Sequence, residues 1–153
     1  MGDMIELMKK VYLIILAFVI LSGVMATVYL IDKKDTSQTV TINNKKFNVE
    51  LAQTEAEREK GLMHRNSLDI NSGMLFVYNT ADIRTFWMKD TLIPLDIIFI
   101  NNNKIVEITT LDPATPSYTP QYTSPKKSKY VLELNAGAAE QNGFKVGDKI
   151  KMN

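Results

Sequence analysis

Six polar residues, Arg65, Lys89, Asp90, Thr91, Asp96 and Glu133, stand at the ends of otherwise apolar segments or inside them. A charge buried without a partner moves its pKa or costs several kcal/mol, so each of these side chains needs a counterpart. Two arrangements supply one. Paired with each other they pin a turn, with Asp96 capping the loop from Thr91 to Pro94 and Lys89 or Arg65 paired with Glu133. Turned toward a cleft, Arg65, Lys89, Thr91, Asp96 and Glu133 become hydrogen-bond partners for a ligand beside the flat face of Trp87, with Tyr118 and Tyr122 on the rim. An aromatic beside a few convergent polar groups suits a sugar or another small polar ligand.

Catalysis has a narrower footing. Asp90, Asp96 and Glu133 could supply the acid and base of a carboxylate-based hydrolase, which needs two carboxyl groups at a defined separation. A Ser-His-Asp triad would have to use His64, the only histidine, and no Gly-x-Ser-x-Gly turn surrounds any serine. Met63, Met74 and Met88 with His64 form a soft set of a kind that holds Cu(I), but methionines in GLM and GML segments are ordinary core fillers. Cysteine is missing, and so are zinc-ligand spacing and both common phosphate-loop patterns. No cofactor is implied. A net charge of +1 without a basic stripe leaves no footprint for nucleic acid. The residues therefore favour binding over catalysis, with an interaction scaffold holding a purely structural polar network as the alternative.

The elements that must position these side chains are short strands. TVTIN and KFNVELA alternate in hydrophobicity around Asn43-Asn44, a hairpin signal, and LDIIFIN and KIVEITTL repeat it around Asn102-Asn103. Between them, Thr54 and Glu57 form a capping box that opens a short helix ended by Gly61. GMLFVYN, RTFWM and KYVLELN read as further strands. In the stretch FWMKDTLIPLDIIFI the first strand ends at Met88, so Lys89 to Pro94 is a connection and Asp96 alone interrupts an apolar strand. The segment with Pro113, Pro116, Pro120 and Pro125 can be neither helix nor central strand and reads as a long extended loop. AGAAEQNG makes a helical turn, and VGDKIKM closes the chain through a Gly147-Asp148 turn. Gly61, Gly73, Gly137, Gly143 and Gly147 fall at element ends, where a positive φ is useful. The fold class is mainly β, a small sandwich or barrel-like domain with one or two short helices.

The N-terminus differs in kind. After a stub of residues 1–10 the sequence carries no charge from Val11 to Ile31, enough for one transmembrane helix. The expected organisation is the stub, a transmembrane anchor or uncleaved signal at 11–31, a linker at 32–37 and a β-rich domain at 38–153. Lysines flank the span equally, so charge does not orient it. The usual behaviour of signal anchors places the domain outside the cytoplasm at the cell membrane.

Laid out in order, TEAEREKGLMHR, GMLFVY, FWMKDTLIPLDIIFI, the Pro113 to Ser124 region, YVLELNAG and GFKVGDKI resemble one family, domain of unknown function 192. The resemblance spans roughly residues 38 to 152 and implies a compact, mostly β domain, often behind a signal peptide or anchor. It implies no reaction. The family usually reads Trp-Met-Lys-Asn-Thr, whereas this chain has Asp90 in place of the asparagine. On these grounds the expected function is binding of a small polar or cell-envelope ligand.

Overall fold

The computed structural model describes residues 2–32 and 38–153, with side chains from 22 to 32 outside the description. Helix α1 (Gly2–Asp32) and the domain that follows are separate compact units. The helix starts earlier than the span read from the sequence. Among the described residues no helix is long and apolar enough to cross a membrane. Of the expected linker, residues 33–37 lie outside the described residues.

The domain is one curled sheet of seven strands. Its elements in chain order are β1 (Gln38–Ile42), β2 (Lys45–Ala52), α2 (Glu55–Lys60), β3 (Ser72–Asp82), β4 (Thr85–Trp87), β5 (Leu95–Asn101), β6 (Lys104–Leu111), β7 (Gln121–Thr123), β8 (Ser128–Asn135), α3 (Ala138–Gln141) and β9 (Ile150–Met152). The strand order is β6-β5-β8-β3-β2-β1-β9, and β4 and β7 form a separate two-stranded ribbon. All seam partners are antiparallel except β2 and β3, whose parallel pairing requires the crossover that carries α2. The two edges approach at one end, where Ile105 N donates to Asp148 O (3.0 Å) and Ile150 N to Asn103 O (2.9 Å). The sheet is thus a half-barrel; of the two expected architectures the sandwich does not form, because every long strand belongs to one sheet.

Local chemistry explains the turns. Asn43 and Asn44 (φ 47 and 66) and Asn102 and Asn103 (φ 48 and 56) all take left-handed backbone, the geometry that two-residue hairpins need and that asparagine tolerates. Thr54 Oγ1 accepts from Glu57 N (3.2 Å) while the Glu57 carboxylate accepts from Thr54 N (2.7 Å), the expected capping box. Gly73 corrects an expectation. It has no positive φ; instead, a Cβ there would sit 2.5 Å from Glu133 O on the neighbouring strand. The glycine is needed for close approach of β3 to β8. The proline-rich segment also holds more structure than a bare loop, since Gln121–Thr123 pairs with β4.

Both faces of strand β5 are buried, which is why it is apolar apart from Asp96 and its last residue Asn101. Ile98, Ile100, Leu132, Leu134 and Phe47 point into the curl, which α3 plugs with Ala138 and Ala139. Ile97, Phe99, Val131, Met74 and Phe76 point the other way, under Leu62, Phe86, Met88 and Ile93 from the segments around α2 and β4. Strand alternation therefore sends Asp96 into the curl and Glu133 to the opposite face.

Candidate functional site

On that outer face a cavity of about 70 Å³ lies between α2, β3, β4 and β8. Leu62, Phe76, Phe86, Thr91 and Glu133 are its buried lining; Arg58, Glu59, Lys60, Thr85 and Trp87 form its more exposed part. The capping box and Gly61 fix where α2 begins and ends, and so aim its second half over the sheet. β4 is tied to β7 by backbone pairing and by a Thr85 Oγ1 to Thr123 Oγ1 hydrogen bond (2.8 Å), which sets Trp87 at the opening with 47% of its surface exposed.

Glu133 is the chemical centre of this cavity. It is 5% exposed, and its Oε2 atom has no hydrogen-bond partner among the described residues. Burial pushes its carboxyl up to about 8, with Arg65 pulling weakly the other way. A buried carboxyl without an ion-paired cation keeps its proton at neutral pH. The expected Arg65–Glu133 pair does not form. Arg65 instead grips Glu50 with both Nη atoms, at 2.6 and 2.7 Å, because the bidentate geometry of an exposed carboxylate satisfies the guanidinium better. Lys89 does not reach Glu133 either; its Nζ sits 5.2 Å from the Trp87 ring centre.

Asp96 is likewise not where the turn-capping expectation put it. Its Oδ1 accepts from Thr110 Oγ1 (2.7 Å) and its Oδ2 from Ala139 N (2.8 Å), so it holds α3 inside the curl and not the loop from Thr91 to Pro94. That loop is stitched by Thr91, whose N donates to Met88 O (3.1 Å) and whose Oγ1 donates to Lys89 O (3.1 Å). Of the residues singled out in the sequence, Trp87, Thr91 and Glu133 line one cavity, with Lys89 adjoining Trp87 and Arg65 acting on Glu133 through charge alone. Asp96 faces away. Tyr122 packs toward Phe99 in the core, ring centres 6.0 Å apart, and Tyr118 is exposed beside Thr115; neither lines the cavity.

Sequence reasoning missed Arg58 and Tyr78. Tyr78 lines the cavity with guanidinium groups near its ring, Arg84 at 3.8 Å and Arg58 at 4.9 Å, and burial raises its phenol pKa against the pull of both arginines. Arg58 also donates to Gln53 O and Val77 O, which anchors α2 to β3. The capping box placed Arg58 on a helix, but no local signal tells which strand that helix crosses. A wider cleft of about 380 Å³ between residues 68–71 and α3 contains none of the predicted residues.

Residues 38–152 match the family model DUF192, described as Uncharacterized ACR. The chain belongs to the DUF192 family. No curated protein matches it. Among solved structures, a protein of unknown function from Novosphingobium aromaticivorans DSM 12444 is similar at 40% identity, covering 75% of this chain and 83% of that one with a TM-score of 0.65. A second, described as a "putative transcription regulator" of Sinorhizobium meliloti 1021, is 33% identical over 76% of this chain and 92% of that one, with a TM-score of 0.66.

The DUF192 pattern also gains a physical reading at Asp90. That residue has φ 50, and its carbonyl accepts from the backbone of His64 (2.8 Å), itself at φ 62. Asparagine and aspartate are the non-glycine residues best suited to left-handed backbone, so the turn accepts either. The change from the usual asparagine is accounted for by backbone conformation, without any need for an amide at the cavity.

Proposed function

We propose that this DUF192 domain is a binding module for a small polar, carbohydrate-like ligand, held at the Glu133 cavity under Trp87. One observation carries the reading: a carboxyl 5% exposed, with one oxygen unpartnered, lines a cavity beside a half-exposed tryptophan. A buried polar atom without a partner costs on the order of 1–3 kcal/mol, and a ligand that supplies the missing hydrogen bond recovers it. The regulator name of the Sinorhizobium neighbour does not transfer well, since a net charge of +1 gives little attraction for DNA. A scaffold role is the second reading; Asp96 favours it, because both its oxygens are spent inside the fold.

The domain is further proposed to be held at a membrane through residues 11–31. Two facts support this: the uncharged run from Val11 to Ile31, and the exposure of apolar side chains such as Leu13, Ile14, Ile15 and Phe18 along α1. Resistance of the full chain to alkaline extraction would support the anchor, and release into the soluble fraction would refute it.

Because Trp87 is the only tryptophan, its emission reports directly on the site. Titration of the full chain in detergent with neutral sugars, amino sugars, hydroxy acids and small amides is expected to give a saturable shift with at least one class, lost in Glu133→Leu. If no compound moves Trp87 emission or the backbone resonances of Thr91 and Glu133, the binding reading fails.

A further inference from the structure

Resting on the binding reading, we infer that the cavity takes an acetamido group, and hence that the ligand is an N-acetylated sugar whose ring lies outside against Trp87. Size comes first. A closed apolar cavity of about 150 Å³ is what one benzene ring occupies. At about 70 Å³ this cavity is too small for a pyranose ring and suits a branch of a few heavy atoms. Its buried part sets Leu62, Phe76 and Phe86, available to a methyl group, beside the Thr91 side chain and the Glu133 carboxyl, whose Oε2 has no partner among the described residues. A methyl beside an amide is the substituent that this combination matches.

Charge points the same way. Arg65, the cation acting on Glu133, is held on both Nη atoms by Glu50 and forms no ion pair with Glu133, which burial keeps a neutral acid. A neutral carboxyl donates its O–H to the amide carbonyl, and no charge is buried. At the opening two cations, Arg58 and Lys60, outnumber the one carboxylate, Glu59, which disfavours a ligand ammonium. The exposed Trp87 ring is the kind of surface on which the apolar face of a sugar stacks, and Arg58, Glu59 and Lys60 offer partners to its hydroxyls. An acetylated lysine carries the same acetamido group on a flexible stem, which has no use for the flat ring at the mouth.

The test is Trp87 emission of the full chain, titrated with N-acetylglucosamine, glucosamine, glucose, acetamide and an acetyl-lysine peptide. N-acetylglucosamine is expected to bind at least about tenfold more tightly than glucose or glucosamine, a difference of about 1.4 kcal/mol. The acetyl methyl should show nuclear Overhauser contacts to Phe76 or Phe86, a readout that needs no variant. Binding should weaken as pH rises through 8 in the wild type and not in Glu133→Gln, which keeps a donor without titrating. The other ionisable groups near Glu133 are Arg58, Glu59 and Lys60 of α2, Arg65 beyond it and Tyr78 of β3; β4 brings none. Equal affinity for glucose, preference for the peptide, or absence of the methyl contacts overturns the acetamido assignment and leaves the binding reading intact. Silence with these probes and with every class in the wider panel overturns both.

Discussion

Burial of Glu133 sets a pH dependence of stability. Unfolded, its carboxyl ionises near 4.5, whereas in the folded domain burial holds it at about 8. Between those values the native state carries a proton that the unfolded chain has lost, so stability falls as pH rises through the window. The contribution is complete below about 4.5 and gone above about 8. Glu50 and Glu57 shift the opposite way, lowered by the hydrogen bonds of Arg65 and of the Thr54 cap, and their contributions vanish only as pH falls through their lowered values. The two windows do not overlap. In urea titrations, Glu133→Gln is expected to match the wild type near pH 5 and to exceed it near pH 8.5 by a few kcal/mol, the order implied by a carboxyl moved several pH units. Parallel stability profiles for the two proteins would show that Glu133 is not held protonated.

At the scale of elements, what was legible in the sequence is what is local. The Asn-Asn hairpins, the Thr54–Glu57 box and the ends of β5 and β6 follow from turn chemistry and alternation within a few residues. Asp96 could be recognised as anomalous because it breaks an apolar strand, but its partners Thr110 and Ala139 come from elements brought together only by the sheet. The same holds for Gly73, whose need arises from β8 and not from its own backbone. Trp87, Thr91 and Glu133 were legible as polar or aromatic residues out of place, while Tyr78 looked like one more core aromatic. Asp96 supplies the element-scale prediction. Asp96→Ala removes the acceptor for a buried amide and for a hydroxyl, and should cost about 2–4 kcal/mol in denaturant unfolding. Hydrogen exchange at Ala139 should accelerate first, because α3 is a single turn whose cap residue Gly137 has no side chain to help. A variant as stable as the wild type would mean that α3 is held by its alanines alone.

The whole molecule divides into a helix and a domain that carry different burdens. The buried residues of both apolar clusters of the domain lie between Val40 and Ile150. The sheet secures its own edges: β9 pairs with β1, and the backbone bonds from Ile105 and Ile150 draw the far edge of β6 to the same corner. Closure of this kind uses local partners for backbone groups that would otherwise need another chain. The domain should therefore keep its stability when the helix is removed. A protein starting at Thr36 is expected to unfold in one cooperative step with a midpoint within about 2 °C of the full chain in detergent, since a loss of 1 kcal/mol in a domain of this size would already shift it by about 4 °C. Calorimetry of the two forms makes the comparison. A large drop, or loss of cooperativity, would mean that the domain does not hold its stability by itself.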